Sequence, residues 1–138
     1  MPLVDRDEPR FAEASREMIE RGDYVVPYFN NRYRFDKPPL TYWFQVASFR
    51  ILGENAFAAR LPSAIAAALT AVVIYGWGRR LGLAPAGLLA SAAWLLCPPE
   101  VAISTWITAE TNFTLFFVSG MVLLLESVNR SAFRLAIW

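Results

Sequence analysis

The chain has 138 residues, of which 56% are hydrophobic, 14% aromatic and only 18% charged. Thirteen Lys and Arg against twelve Asp and Glu leave a formal net charge of +1, so the basic surplus typical of nucleic-acid binding is missing and we expect no nucleic-acid partner. The sequence has no histidine, which excludes a Ser-His-Asp triad or an imidazole zinc site within these residues, and its single cysteine excludes an internal disulfide.

The first predicted element is an amphipathic helix from about Asp7 to Arg21, in the charge-rich first part of the chain. Asp7 can cap this helix, Pro9 is tolerated in its first turn, and Gly22 can end it. One face is apolar, and the other carries opposite charges four residues apart, namely Arg16 with Glu20 and Glu17 with Arg21. The pattern is typical of a helix that lies on a membrane surface.

An extended segment and a short aromatic helix are predicted next. Tyr24–Phe35 contains a turn signal at Asn30-Asn31 and then alternates cations with aromatic residues. A proline pair then opens a second helix, Leu40–Leu52. This helix is too short to cross a hydrocarbon core, which takes about 20 helical residues, and its Tyr and Trp residues favour the headgroup level. We therefore place it at the external membrane interface.

Three apolar stretches predict about three transmembrane helices, at 57–81, 83–104 and 107–128. The second is the shortest and must continue beyond Pro98-Pro99 to cross completely. A soluble helical bundle would need polar faces, but Ala64–Tyr75 contains only Thr70 and Tyr75 as polar residues. The chain is thus divided into an external segment, 1–55, and a membrane part, 56–138.

Basic residues near the ends of the predicted spans indicate the orientation. Arg79-Arg80 follow the first span and Arg130 and Arg134 follow the third, so both clusters fall on the cytoplasmic side if all three stretches cross. We therefore predict a multi-pass protein of the plasma (inner) membrane, with residues 1–55 on its external side. Because no signal peptide precedes Asp5, we expect a further transmembrane helix before this chain. Glu126, four residues before Arg130, is expected to pair with it.

Several separated motifs carry a family resemblance. They include Asp7-Glu8-Pro9-Arg10-Phe11, Asp36-Lys37-Pro38-Pro39 and Ala59-Arg60-Leu61-Pro62-Ser63, with a weaker continuation through Glu110-Thr111-Asn112. In this order they resemble the first external loop and second helix of bacterial family 39 glycosyltransferases, which are related to protein O-mannosyltransferases and to the lipid A aminoarabinose transferase. The resemblance implies an all-α fragment of the C-type glycosyltransferase superfold with external juxtamembrane helices.

The resemblance also implies transfer of a sugar from a polyprenyl-phosphate donor to a lipid or protein acceptor outside the membrane. Such a reaction needs a base for the acceptor hydroxyl and cations for the leaving phosphate. Asp7 matches the family's first-loop acidic residue and is the candidate base, although its carboxylate could also serve only as a helix cap. Glu8 is the neighbouring alternative.

The candidate substrate-binding residues are Lys37, Asp36, Arg34 and Glu110. Lys37 lies in the family's acidic-Lys-Pro motif and is expected to bind the phosphate, while Asp36 stands where many relatives have Glu. Arg34, like Arg32, could add phosphate contacts or belong to a solvated strand face. Glu110 lies about one turn inside the external end of the third span, where an ionisable group is costly without a partner or a function. No metal ligands are assigned, and a requirement for a divalent ion is left open.

A non-catalytic membrane scaffold or transporter fragment is the alternative reading. A transporter would favour charged groups near the bilayer midplane, whereas a transferase would place Asp7, Lys37 and Glu110 around one external cavity. These residues alone are expected to be inactive, because the donor lipid must be enclosed by helices that they do not include.

Overall fold

The structure, a computed structural model, describes residues 8–35, 37–97 and 109–135, with side chains described as far as residue 128 in the last helix. These parts of the chain form five helices and one short hairpin, which confirms the all-α class. The elements are α1 (Glu8–Arg21), β1 (Tyr28–Phe29), β2 (Arg32–Tyr33), α2 (Leu40–Leu52), α3 (Ala56–Arg80), α4 (Ala84–Leu96) and α5 (Ala109–Leu135).

Helix α1 has the predicted amphipathic faces. Phe11, Ala14, Ser15 and Met18 are buried, and Gly22 ends the helix with a positive φ of 67°. Both predicted charge pairs form: Arg16 with Glu20 at 2.5 Å on the exposed face, and Glu17 with Arg21 at 3.2 Å, where Glu17 is buried. Arg16 also pairs with Glu13, and its hydrogen bonds lower the pKa of that carboxyl group. The helix therefore lies against the protein with one charged face outward.

The predicted turn at Asn30 and Asn31 connects β1 and β2. Both residues have a positive φ, 52° and 61°, as a type I′ hairpin turn requires. The Glu17 carboxylate accepts hydrogen bonds from both backbone N–H groups, at 2.6 Å and 3.4 Å. A side chain of α1 thus holds the hairpin in place.

Helix α2 packs against α3 where a proline interrupts the helical hydrogen bonds. Pro62 lacks the N–H that would bond to the carbonyl of Ala58. The Ser48 hydroxyl donates to this carbonyl at 2.6 Å, and the Gln45 amide donates to the next carbonyl, that of Ala59, at 3.2 Å. Polar side chains of α2 therefore bond to carbonyl oxygens of α3 that the proline disturbs.

A compact apolar core joins these front elements to the start of α3. Its buried members are Phe11, Ala14, Met18, Tyr42, Val46, Phe49, Ala58 and Ala59. Because they come from α1, α2 and α3, burial of one shared apolar surface holds α1 and α2 against the first predicted span.

Helices α3 and α4 cross closely at two glycines. A Cβ added to Gly78 would lie 2.6 Å from the Cα of Gly87, and one added to Gly87 would lie 3.0 Å from the Cα of Gly78. Since both obstructions are backbone atoms, this crossing requires glycine on both helices.

Two described helices, Ala56–Arg80 and Glu110–Val128, are long and apolar enough to cross a membrane. On the second, Phe113, Phe117, Leu123 and other large apolar side chains are exposed, an arrangement that suits lipid and not water. The predicted second span corresponds in part to α4, which has 13 residues. Its continuation beyond residue 97 lies outside the described residues, so a complete crossing there stays a prediction.

An ion pair joins the far ends of the two long helices. Arg80 Nη1 lies 2.5 Å from Glu126 Oε1. The structure thus pairs Glu126 across helices; its predicted contact with Arg130 stays a prediction, because the Arg130 side chain lies outside the described residues. Near the starts of the same helices, Leu61 of α3 and Leu115 of α5 line one cavity, so α3 and α5 run in the same direction.

Candidate functional site

Lys37 and Glu110, two predicted substrate-binding residues, are brought together. The Lys37 Nζ lies 2.7 Å from Glu110 Oε1 although the residues are 73 positions apart. Pro38 keeps Lys37 out of α2, so the lysine lies in the bend before that helix, and Glu110 lies in the first turn of α5. The side chains are 40% and 54% exposed, and ion pairs this accessible contribute little to stability. The ammonium can therefore reach a ligand.

A cavity of about 380 Å³ lies beside this pair. Its polar lining residues are Lys37, Glu110, Thr41 and Asn112, and its apolar ones are Pro38, Leu40, Phe113 and Phe116. A cation at the edge of apolar walls suits a ligand that joins an anionic group to a hydrocarbon chain.

A second cavity, of about 410 Å³, lies between α2, α3 and α5. It is lined mainly by apolar residues such as Phe44, Ile51, Leu61, Ile65 and Leu69. Asn112 lines both cavities, so the cavity of the ion pair and the apolar cavity meet at this residue.

Glu8, the alternative candidate base, is paired with Arg60, which was not among the predicted site residues. Arg60 donates to its carboxylate through Nε at 2.9 Å and Nη2 at 2.7 Å. Glu8 is 1% exposed and Arg60 is 22% exposed. This two-point contact fixes the first turn of α1 against α3. Asp7, the neighbouring candidate base, lies outside the described residues.

Arg34 is buried. The alternative prediction, that this arginine belongs to a solvent-exposed strand face, is therefore wrong. It is 8% exposed, its Nε donates to the Tyr42 hydroxyl at 3.1 Å, and its guanidinium carbon lies 5.2 Å from the Phe11 ring centre. The aromatic residues Tyr33 and Phe35 are exposed instead. An arginine stacked on aromatic rings is easily buried, which a simple alternation of polar and apolar residues does not predict.

The structure thus places four of the six predicted site residues, Glu8, Arg34, Lys37 and Glu110, while Asp7 and Asp36 lie outside the described residues. Arg60 and Asn112 were not among the predicted site residues, although both lie within the motifs that carried the resemblance. Across the described ranges, no cluster of three or more His, Cys, Asp or Glu side chains could hold a metal ion.

Short helices packed against the start of long apolar helices that run in parallel form the fold of integral-membrane glycosyltransferases of the C-type superfold. Residues 36–137 match the family described as dolichyl-phosphate-mannose-protein mannosyltransferase. This match covers more than half of the chain, which therefore belongs to that family.

Similar proteins include an uncharacterized protein of Aquifex aeolicus, 36% identical over 94% of this chain and 31% of its own length. The undecaprenyl phosphate-alpha-4-amino-4-deoxy-L-arabinose arabinosyl transferase of Yersinia pestis is 37% identical over 87% of this chain and 22% of its own. Crystal structures of ArnT from Cupriavidus metallidurans, apo and bound to undecaprenyl phosphate, match with a TM-score of 0.84 and 30% identity. They cover 89% of this chain, which spans 23% of theirs. The chain thus spans less than a third of these relatives.

Proposed function

We propose that the full-length protein transfers a sugar from a polyprenyl-phosphate donor to a lipid or protein acceptor at the external face of the membrane. The observation that carries this proposal is the contact of Lys37 with Glu110 beside a cavity with apolar walls. The relatives named for undecaprenyl-phosphate chemistry, and the ArnT structure bound to undecaprenyl phosphate, support the same donor class.

In this proposal Lys37 binds the phosphate of the donor. A lysine ammonium is a compact point charge that can stabilise the negative charge developing on a departing phosphate. Glu110 holds the ammonium in place until the donor arrives, and it then orients the donor or acceptor headgroup. The apolar walls formed by Phe113 and Phe116 contact the start of the lipid chain.

Asp7 acts as the base that takes the proton of the acceptor hydroxyl. The neighbouring Glu8 has its two carboxylate oxygens in contact with Arg60, an arrangement that favours positioning over proton transfer. We therefore assign Glu8 the role of holding the first turn of α1. The 138 residues by themselves are proposed to be inactive, since they correspond to 22–31% of the relatives' length.

Donor binding tests the proposal in full-length protein purified in detergent. Lys37→Ala should weaken binding of undecaprenyl phosphate by about tenfold or more, because it removes the cation. Lys37→Arg keeps the charge and should retain part of the affinity, while Arg50→Ala removes an exposed cation of α2 and should have no effect. Normal binding and transfer by Lys37→Ala would contradict the proposal.

Labelling tests the external location of residues 1–55. In a background from which Cys97 and any other native cysteine are removed, a membrane-impermeant maleimide applied from outside should label Arg32→Cys, in the exposed hairpin. It should spare Arg79→Cys, in the last turn of α3. The reverse pattern would place the site in the cytoplasm and exclude the proposed reaction side.

A further inference from the structure

Asn112 carries a buried hydrogen-bond donor with no acceptor. The residue is 4% exposed, and among the described residues its Nδ2 has no hydrogen-bond partner. Buried polar groups in native proteins are almost always bonded, because leaving a donor unsatisfied is unfavourable. Such an exception in a binding cavity points to an acceptor that a ligand supplies.

The position of Asn112 indicates which ligand atom this is. Asn112 lies two residues after Glu110 in α5 and lines the cavity that Lys37 also lines. It also lines the apolar cavity between α2, α3 and α5. An oxygen bound here would thus lie between the Lys37 ammonium and an apolar cavity. This position suits the phosphate of a polyprenyl phosphate, which is attached directly to a hydrocarbon chain.

We propose that Asn112 is a donor-binding residue whose Nδ2 donates a hydrogen bond to an oxygen of the phosphate held by Lys37. This inference rests on the proposed function and adds a second phosphate contact to it. The lysine supplies charge with little directional preference, whereas the amide supplies a directed neutral donor. Together they fix both the location and the orientation of the phosphate, with the hydrocarbon chain along the apolar walls.

A binding role and a structural role of Asn112 predict opposite changes in the stability of the lipid-free protein when this residue is replaced. An asparagine whose amide nitrogen held helices together would have an acceptor for it, and loss of that hydrogen bond would destabilise the protein without ligand. An unpaired buried donor has the opposite effect, because an apolar side chain of similar size removes an unsatisfied group. Asn112→Leu should therefore leave the lipid-free melting temperature unchanged or raise it.

The test measures binding of undecaprenyl phosphate to full-length protein by native mass spectrometry, together with melting temperatures. Asn112→Leu should weaken binding by about ten- to hundredfold, the range for one hydrogen bond to a charged group. Asn112→Asp should weaken it at least as much, since it places a second negative charge near the phosphate. Thr114→Val is the matched control: Thr114 donates to the Glu110 carbonyl within α5 and lines neither cavity, so binding should not change.

Comparison with Lys37→Ala keeps this inference distinct from the proposed function. If Lys37→Ala loses binding and Asn112→Leu and Asn112→Asp both retain it, the role of Asn112 is wrong while the proposed function stands. If the unmodified protein binds no undecaprenyl phosphate, the proposed function fails first. A lipid-free melting temperature that falls in Asn112→Leu identifies a structural role and overturns the inference; Asn112→Ala serves as the second variant if the leucine variant does not fold.

Discussion

Glu8 and Arg60 join two helices through a two-point contact between residues 52 positions apart, and the Glu8 carboxylate is almost completely buried. A buried ion pair owes its importance to what happens when one member is lost, because the remaining charge stays desolvated and unpaired. The contact holds the first turn of α1 against α3, and the predicted base, Asp7, directly precedes Glu8 in the sequence.

Removing one member of this pair should therefore destabilise the protein more than removing both. Arg60→Leu is expected to cost about 3–5 kcal/mol, and Glu8→Leu combined with Arg60→Leu distinctly less. Chemical unfolding in detergent measures the two values. Transfer activity should stay low in the double variant, because the first turn of α1 loses its attachment; additive stability losses would show that the two side chains are not coupled.

Exchange of the charges of Lys37 and Glu110 separates pairing from phosphate binding. The double variant Lys37→Glu with Glu110→Lys can still form an ion pair, and its stability should change by less than about 1 kcal/mol because the pair is exposed. Donor binding should not recover, since the cation now lies on α5. Full recovery of binding would mean that only the net charge of the cavity matters, and the assigned position of Lys37 would be wrong.

The crossing of α3 and α4 should tolerate no side chain at Gly78. Gly78→Ala places a Cβ against the Gly87 backbone, so the helices must separate, at about 1–3 kcal/mol. Gly76→Ala is the matched control on the same helix, because its added Cβ meets nothing within 4 Å. Melting temperatures of the two variants check this difference; equal values would contradict the close crossing.

Ser48 should stabilise the packing of α2 on α3 through the carbonyl that Pro62 leaves without its helical donor. Ser48→Ala is expected to cost about 1–3 kcal/mol, the range for a buried polar group left unsatisfied. Ser91→Ala, which removes a hydroxyl bonded only to Leu88 within α4, should cost less. If Pro62→Ala cancels the effect of Ser48→Ala, the proline is confirmed as its cause.

Acidification should weaken the charged face of α1. Because Arg16 lowers the pKa of Glu13, this carboxylate contributes stability above its unfolded pKa of about 4.3, and the contribution is lost as the pH falls through the lower folded value. The effect should stay below about 1 kcal/mol because the pair is partly exposed. Melting temperatures between pH 6 and 3 should fall less steeply for Glu13→Gln, relative to its own value at pH 6, if this pair contributes.

Local patterns in the sequence determined the elements themselves. The four-residue spacing in α1, the Asn30-Asn31 turn, the ends of α2 and the apolar length of α3 depend on neighbouring residues, and each was predictable for that reason. The family motifs also identified Lys37 and Glu110 as candidate substrate-binding residues.

Only the tertiary structure decided which of these residues meet. Lys37 reaches Glu110 across 73 positions, Glu126 contacts Arg80 of another helix, and Arg34 is buried on aromatic rings. Such contacts depend on how helices dock, and docking follows from features that no short window contains, such as the approach of Gly78 to Gly87. The geometry of a single helix decides which of its own side chains are neighbours. Contacts between side chains of different helices depend on how those helices pack against each other.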